Sequence, residues 1–247
     1  MSSFAPLATE YSLVTGIPFL VVLALAHLFR GRWWTDDQKA LRWWLSAAGG
    51  ASVAYVFVLL LPEVSEAALT VGQIRGDALL AEQEVYVVAL VGFVAFYGIE
   101  VFVTRRRDKS VEDAPLVYWS HLAVFTVYSA IIGYLLFHQE AQDAANQFFY
   151  VLAMAFHFRV TDYGLYRHHG QAFDRTGRWI LTTATLVGGV AGFTTEFGGL
   201  PLAMAYGFVA GAIVFNVVKE ELPDVDESRF TAFGVGTLVY TVVLLLV

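Results

Sequence analysis

The sequence predicts an all-α, polytopic membrane protein of about eight transmembrane helices. Three observations carry that reading. The apolar residues, 57% of the 247-residue chain, fall in blocks of about 20, the length a helix needs to cross a ~30 Å hydrocarbon layer. Charged residues are only 15% of the total, against roughly a quarter in soluble domains, and the polar stripes of a soluble bundle are missing. Lys and Arg alternate between successive loops, as they do in multi-pass proteins.

Read in order, the spans fall at about 11–29, 41–61, 84–103, 116–137, 146–166, 179–196, 200–218 and 230–247, one transmembrane domain over 1–247. The connections are short except the second, from Glu63 to Gln83, and the fifth, from Arg167 to Arg178. Arg30, Arg32, Lys39 and Arg42 surround the first loop. Arg105, Arg106, Arg107 and Lys109 fill the third, Arg167, Arg175 and Arg178 the fifth, and Lys219 and Arg229 the seventh. The even-numbered loops hold only Arg75. Positive charge marks the cytoplasmic side, so both termini are expected outside, in an inner or plasma membrane. Trp33, Trp34, Trp43 and Trp44 bracket the first loop as an interfacial belt.

Composition narrows the function classes. A net charge of −7 without a basic tract argues against nucleic acid and leaves the lipid bilayer as the implied partner. The absence of cysteine excludes disulfides, thiolate metal sites and iron–sulfur ligation. No basic segment precedes the first apolar block and no small-residue cleavage site follows it, so no signal peptide is expected.

Small residues recur at every fourth position in the sixth span (Ala184, Gly188, Gly192) and the seventh (Ala203, Gly207, Gly211). Such seams let helix backbones approach in lipid. Packing within the chain is the expected use, a homodimer interface the alternative. A second pattern links two spans. Gly50-Ala51-Ser52-Val53 leads to Leu61-Pro62-Glu63, and Gly211-Ala212-Ile213-Val214 leads at the same interval to Leu222-Pro223-Asp224, with Val56 and Val217 coinciding. The second span runs outward and the seventh inward, which is the trace of an inverted-topology repeat, a hallmark of transporters.

With these features the chain resembles the ZIP family of divalent-metal transporters. That family has eight helices in a three-two-three (3+2+3) arrangement, both termini outside, with outer triplets that are inverted repeats. Leu60-Leu61-Pro62-Glu63 matches its second-helix ending, Gly92-Phe93 through Glu100 resembles its third helix, and Ala210-Gly211-Ala212 through Glu221-Leu222-Pro223 its seventh. The resemblance implies alternating access by one bundle moving against another. The chain departs from the family at the metal centre. Aligned on Gly133, Val124, Phe125 and Tyr128 stand where the family's fourth helix has His, Asn and Asp. On the fifth, His157 takes the His position while Phe158 and Thr161 replace both carboxylates.

Ionisable groups inside a span are costly and default to functional candidates. His157 shares a helix face with Thr161 and Gly164. In a carrier, His157 is the expected central metal ligand or proton acceptor, joined by His121 and Asn216, with Thr161 a weaker oxygen. Packing as a neutral, hydrogen-bonded histidine is the alternative. Arg159 and Asp162 stand three apart and are expected to pair near the cytoplasmic end. Asn216 and Glu220 share a face of the seventh span and, with Glu100, can line a cytoplasmic vestibule. No cofactor is expected; zinc or another divalent cation enters as substrate.

Other classes fit less well. The last span lacks the mid-membrane lysine of a retinal protein. The six histidines fall short of the paired boxes of a di-iron desaturase. A membrane zinc hydrolase would need His121, His157 and the loop pair His168-His169 to converge on a bound water. The sequence therefore reads as a divergent divalent-cation transporter rather than an enzyme. The alternatives are a non-transporting membrane scaffold or partner-binding protein on the same fold, and then the hydrolase.

Overall fold

The computed structural model describes residues 5–28, 38–75, 78–107, 114–138, 144–195, 199–221 and 229–246, and these are helical with no strand among them. Helix α1 spans Ala5–Ala26. Helix α2 joins Gln38–Tyr55, a π-helical turn Val56–Leu60 and Leu61–Arg75. Helices α3 (Ala78–Arg107), α4 (Ala114–Leu135) and α5 (Ala144–His169) follow. Helix α6 (Arg178–Thr194) is entered through a π turn at Phe173–Gly177, α7 (Leu200–Asn216) leaves through another at Val217–Glu221, and α8 is Phe230–Leu245.

Each predicted span falls on one of these eight helices. Four stretches are long and apolar enough to cross a membrane: Arg42–Arg75, Glu82–Arg106, Ala114–Leu135 and Leu200–Lys219. The apolar stretches Thr15–Ala26 and Phe230–Leu245 are shorter. Helix α5 is long enough but carries Gln147, His157, Arg159 and Asp162, which lower its hydropathy and equip it to face polar partners. On α3, Val87, Leu90, Val91 and Val94 stay exposed, a surface suited to lipid.

The two long loops are largely helical. Glu63, Glu66 and Gln73 make 63–75 look like a loop, yet α2 continues to Arg75 and α3 begins at Ala78. A proline within a helix crowds the carbonyl four residues back. Just before Pro62 the helix widens, with the Leu61 amide bonding to the Val56 carbonyl, so the chain passes the proline without breaking. Between α5 and α6 the helical path is interrupted at Gly170, whose φ of 53° lies in the left-handed region that glycine enters at no steric cost.

The chain divides into two compact units: Met1–Arg30 with Thr126–Glu196, and Gly31–Phe125 with Phe197–Leu246. The first holds α1, the end of α4, α5 and α6. Here α1 packs on both α5 and α6, and Leu23, Ile132, Leu136, Met154 and Leu181 are buried. The sixth-span seam lies against α4: a Cβ on Gly188 would strike Ala130, and one on Gly192 would strike Tyr134. Tyr150 donates to the Ile132 carbonyl at 2.8 Å, tying α5 to α4.

The second unit holds α2, α3, the start of α4, α7 and α8, built around two close helix crossings. At one, Gly50 of α2 lies against Phe233 and Thr237 of α8, and Gly236 lies against Ala47. At the other, Gly211 of α7 lies against Ala89 and Phe93 of α3, and Gly92 lies against Phe208. One register relates them. Setting Gly50 on Gly211 and Gly236 on Gly92 puts Ala47 on Phe208, Phe233 on Ala89 and Thr237 on Phe93. The same register puts the π turn Val56–Leu60 on Val217–Glu221. It also matches the flanking contacts, since Ser46 accepts from the Arg229 amide at 3.1 Å where Gly207 meets Val85. The seventh-span seam is thus covered by α3 of the same chain. Pro223 and Asp224, which complete the sequence echo, lie outside the described residues, as do the loop residues Arg30, Arg32 and Lys109.

Candidate functional site

Polar side chains of the first unit gather between its helices, and α5 supplies most of them. A buried polar group in lipid needs a partner, because water is not at hand to supply one. His157 is 2% exposed. Its Nε2 meets the Tyr128 hydroxyl of α4 at 2.7 Å and, at a marginal 3.5 Å, the Thr161 hydroxyl one turn along its own helix. Of these two contacts the shorter is the one to Tyr128.

A second cluster lies about one turn farther along α5. Asp162 is buried, and both its carboxylate oxygens are 3.0 Å from Nδ1 of His27 on α1. On the other side of the ring, Nε2 lies 3.3 Å from the Thr185 hydroxyl of α6, and the Phe158 ring packs against the imidazole at 4.2 Å between centroids. Thr185 also donates to the Leu181 carbonyl at 3.1 Å. Three helices thus meet in a row running Asp162–His27–Thr185.

The direct partner of Asp162 is therefore His27, not the expected Arg159. Arg159 feels the charge of Asp162 and donates from Nη1 to the Ala26 carbonyl at 3.3 Å, at the end of α1 beside His27. Spacing of three along a helix allows a local ion pair, but a buried imidazole on a neighbouring helix supplies the carboxylate with a closer donor. His27 could have been noticed as an ionisable group in an otherwise apolar span; its pairing with Asp162 has no local trace. A further link, Thr15 to Gln147 at 3.0 Å, joins α1 to the start of α5.

The other predicted residues sit elsewhere. His121 and Asn216 belong to the second unit. Both are buried; His121 packs on Phe125 at 5.1 Å between centroids, and Asn216 ends α7 just before its π turn with Nδ2 unpartnered among the described residues. Glu100 pairs with Lys219 at 2.6 Å. The Glu220 side chain lies outside the described residues. His168 and His169 end α5. Among the described residues no three His, Asp or Glu side chains group as metal ligands. No protein-family model matches the chain, and no curated protein matches it either.

Proposed function

We propose that the chain is a carrier rather than an enzyme: a multi-pass protein of the cell membrane, both termini on the non-cytoplasmic side, built on a ZIP-like inverted repeat and moving a cation. The observation that carries this reading is the shared register of the second unit. The Gly50/Gly236 crossing and the Gly211/Gly92 crossing use matching residues, and both repeats interrupt their helix with a π turn at the same position. The matching contact partners and π turns support a repeat beyond the echo in sequence. Inverted repeats are characteristic of transporters that work by alternating access, with solute sites at mid-membrane.

The polar row of the first unit supports a cation as solute class. His157 with Tyr128 and Thr161, and in a separate cluster His27 with Asp162, offer nitrogen and oxygen donors with one carboxylate, and buried ionisable groups inside spans mark ion or proton pathways. Zinc and manganese are the first solutes to try, as the family resemblance implies. The test is uptake of each into liposomes containing the full chain, with His157→Ala beside the wild type. Saturable flux that the substitution abolishes supports the carrier. Flux no greater than in empty liposomes, from folded and inserted protein, counts against it. The Tyr128–His157 hydrogen bond favours a second reading, a non-transporting membrane protein of the same fold, in which the former metal position has become a packing contact.

A further inference from the structure

We propose that His27 is an intramembrane proton-binding site, held by Asp162 and switched by the hydroxyl of Thr185. The argument is one of hydrogen-bond accounting. Nδ1 of His27 faces two carboxylate oxygens at 3.0 Å, an arrangement that requires a proton on Nδ1. A threonine hydroxyl has one proton to give, and Thr185 directs it to the Leu181 carbonyl at 3.1 Å. While it does so its oxygen faces Nε2, 3.3 Å away, as an acceptor, which is the arrangement that receives a proton carried on Nε2. In this proposed state every member of the row is satisfied, with the ring protonated on both nitrogens beside the Asp162 carboxylate.

Only one small movement accommodates loss of that second proton. The Nε2 proton departs, the ring becomes neutral with its Nδ1 proton still on Asp162, and the Thr185 hydroxyl turns from Leu181 to donate to Nε2. The Leu181 carbonyl loses a supplementary bond and keeps its helical environment. Both states leave His27 hydrogen-bonded on both nitrogens, and they differ by one proton and one unit of charge. The groups facing His27 are few: α5 presents Asp162, with Arg159 acting on Asp162 by its charge; α6 presents Thr185; Phe158 covers the ring face. His157, also on α5, bonds instead to Tyr128 of α4. With Arg159 and Asp162 offsetting each other, binding a proton takes the cluster from neutral to singly positive. Histidine is the side chain suited to such exchange near neutral pH.

In a carrier this proton would leave or enter as the cation moves, a coupling role that rests on the carrier reading; the site itself does not. The test uses the full chain in liposomes and reads infrared difference spectra between mildly acidic and mildly alkaline buffer, with histidine isotopically labelled. The expected result is that His27→Gln loses one set of imidazole bands, and that Thr185→Val, which keeps the imidazole but removes the rotor, displaces them. Identical spectra for wild type and folded His27→Gln overturn the proposal. Should His27→Gln fail to fold, Thr185→Val decides: displaced bands support the site, unchanged bands overturn it. An entrapped pH dye then reports proton movement during zinc or manganese entry, expected to fall to the empty-liposome level in His27→Gln. His27 bands without any cation flux leave the proton site standing and count against the carrier. Cation flux without His27 bands removes the proton site alone.

Discussion

The hydroxyl of Tyr128 lies 2.7 Å from Nε2 of His157, a bond between α4 and α5 at the centre of the first unit. Both partners are buried, so neither can turn to water when the other is removed. Interhelical hydrogen bonds in membrane proteins contribute about 1 kcal/mol, and an orphaned buried group adds its own cost. Tyr128→Phe is expected to lower the thermal stability of the detergent-solubilised protein by about 1–2 kcal/mol. Thr161→Val, acting on a marginal 3.5 Å contact, should have less effect. Thermal unfolding followed by size-exclusion fluorescence checks the order; equal losses would mean the tyrosine bond is no stronger than the threonine contact.

The glycine crossings of the second unit make a paired prediction. At Gly50 and Gly211 a Cβ would strike the backbone of the neighbouring helix, whereas at Gly98 it would meet nothing within 4 Å. Gly50→Val and Gly211→Val are therefore expected to destabilise similarly, each by about 2 kcal/mol or more. Gly98→Val should be tolerated. Folded yield and melting temperature of the three variants read this directly. A large difference between the first two would break the equivalence of the crossings.

How much of this was legible beforehand depends on whether the cause was local. The helices were readable because most of their apolar residues run in long blocks, four of them long and apolar enough to cross a membrane. The Gly50 and Gly211 echo was readable because close crossings demand glycine at fixed intervals. The π turns at Val56 and Val217 left no mark in composition, and the helical run to Arg75 was hidden by Glu63, Glu66 and Gln73, whose polarity resembles that of a loop. Asp162 was assigned to Arg159 because sequence displays neighbours along a helix; His27 reaches it only once α1 and α5 are packed.

Lys219 and Glu100 pair at 2.6 Å with both side chains partly exposed, joining the π turn after α7 to α3. A pair in this setting contributes about 0.5–1 kcal/mol and is screened by salt. Reversing either charge alone, Lys219→Glu or Glu100→Lys, places like charges together and should lower the melting temperature. Reversing both should recover most of the loss at low ionic strength. Absence of recovery in the double variant would assign the pair no stabilising role.

Placing carboxylates beside His157 tests the proposed ZIP-like register most directly. Tyr128 and Thr161 both reach Nε2 of His157, and under the ZIP-like register both stand where a transporter of that family carries an acidic ligand. A lone imidazole with two hydroxyls is a poor zinc site, whereas one imidazole and two carboxylates supply three good ligands. Tyr128→Asp combined with Thr161→Glu is therefore expected to raise zinc affinity by at least about tenfold, equivalent to about 1.4 kcal/mol, and His157→Ala in that background should remove the gain. Equilibrium dialysis with radioactive zinc on detergent-purified protein measures both. If the double variant folds and binds no more zinc than the wild type, these positions do not form a ligand cluster, and the family register at α4 and α5 has to be abandoned. If it binds and the wild type does not, the three positions converge closely enough to hold a metal ion, as the proposed register requires.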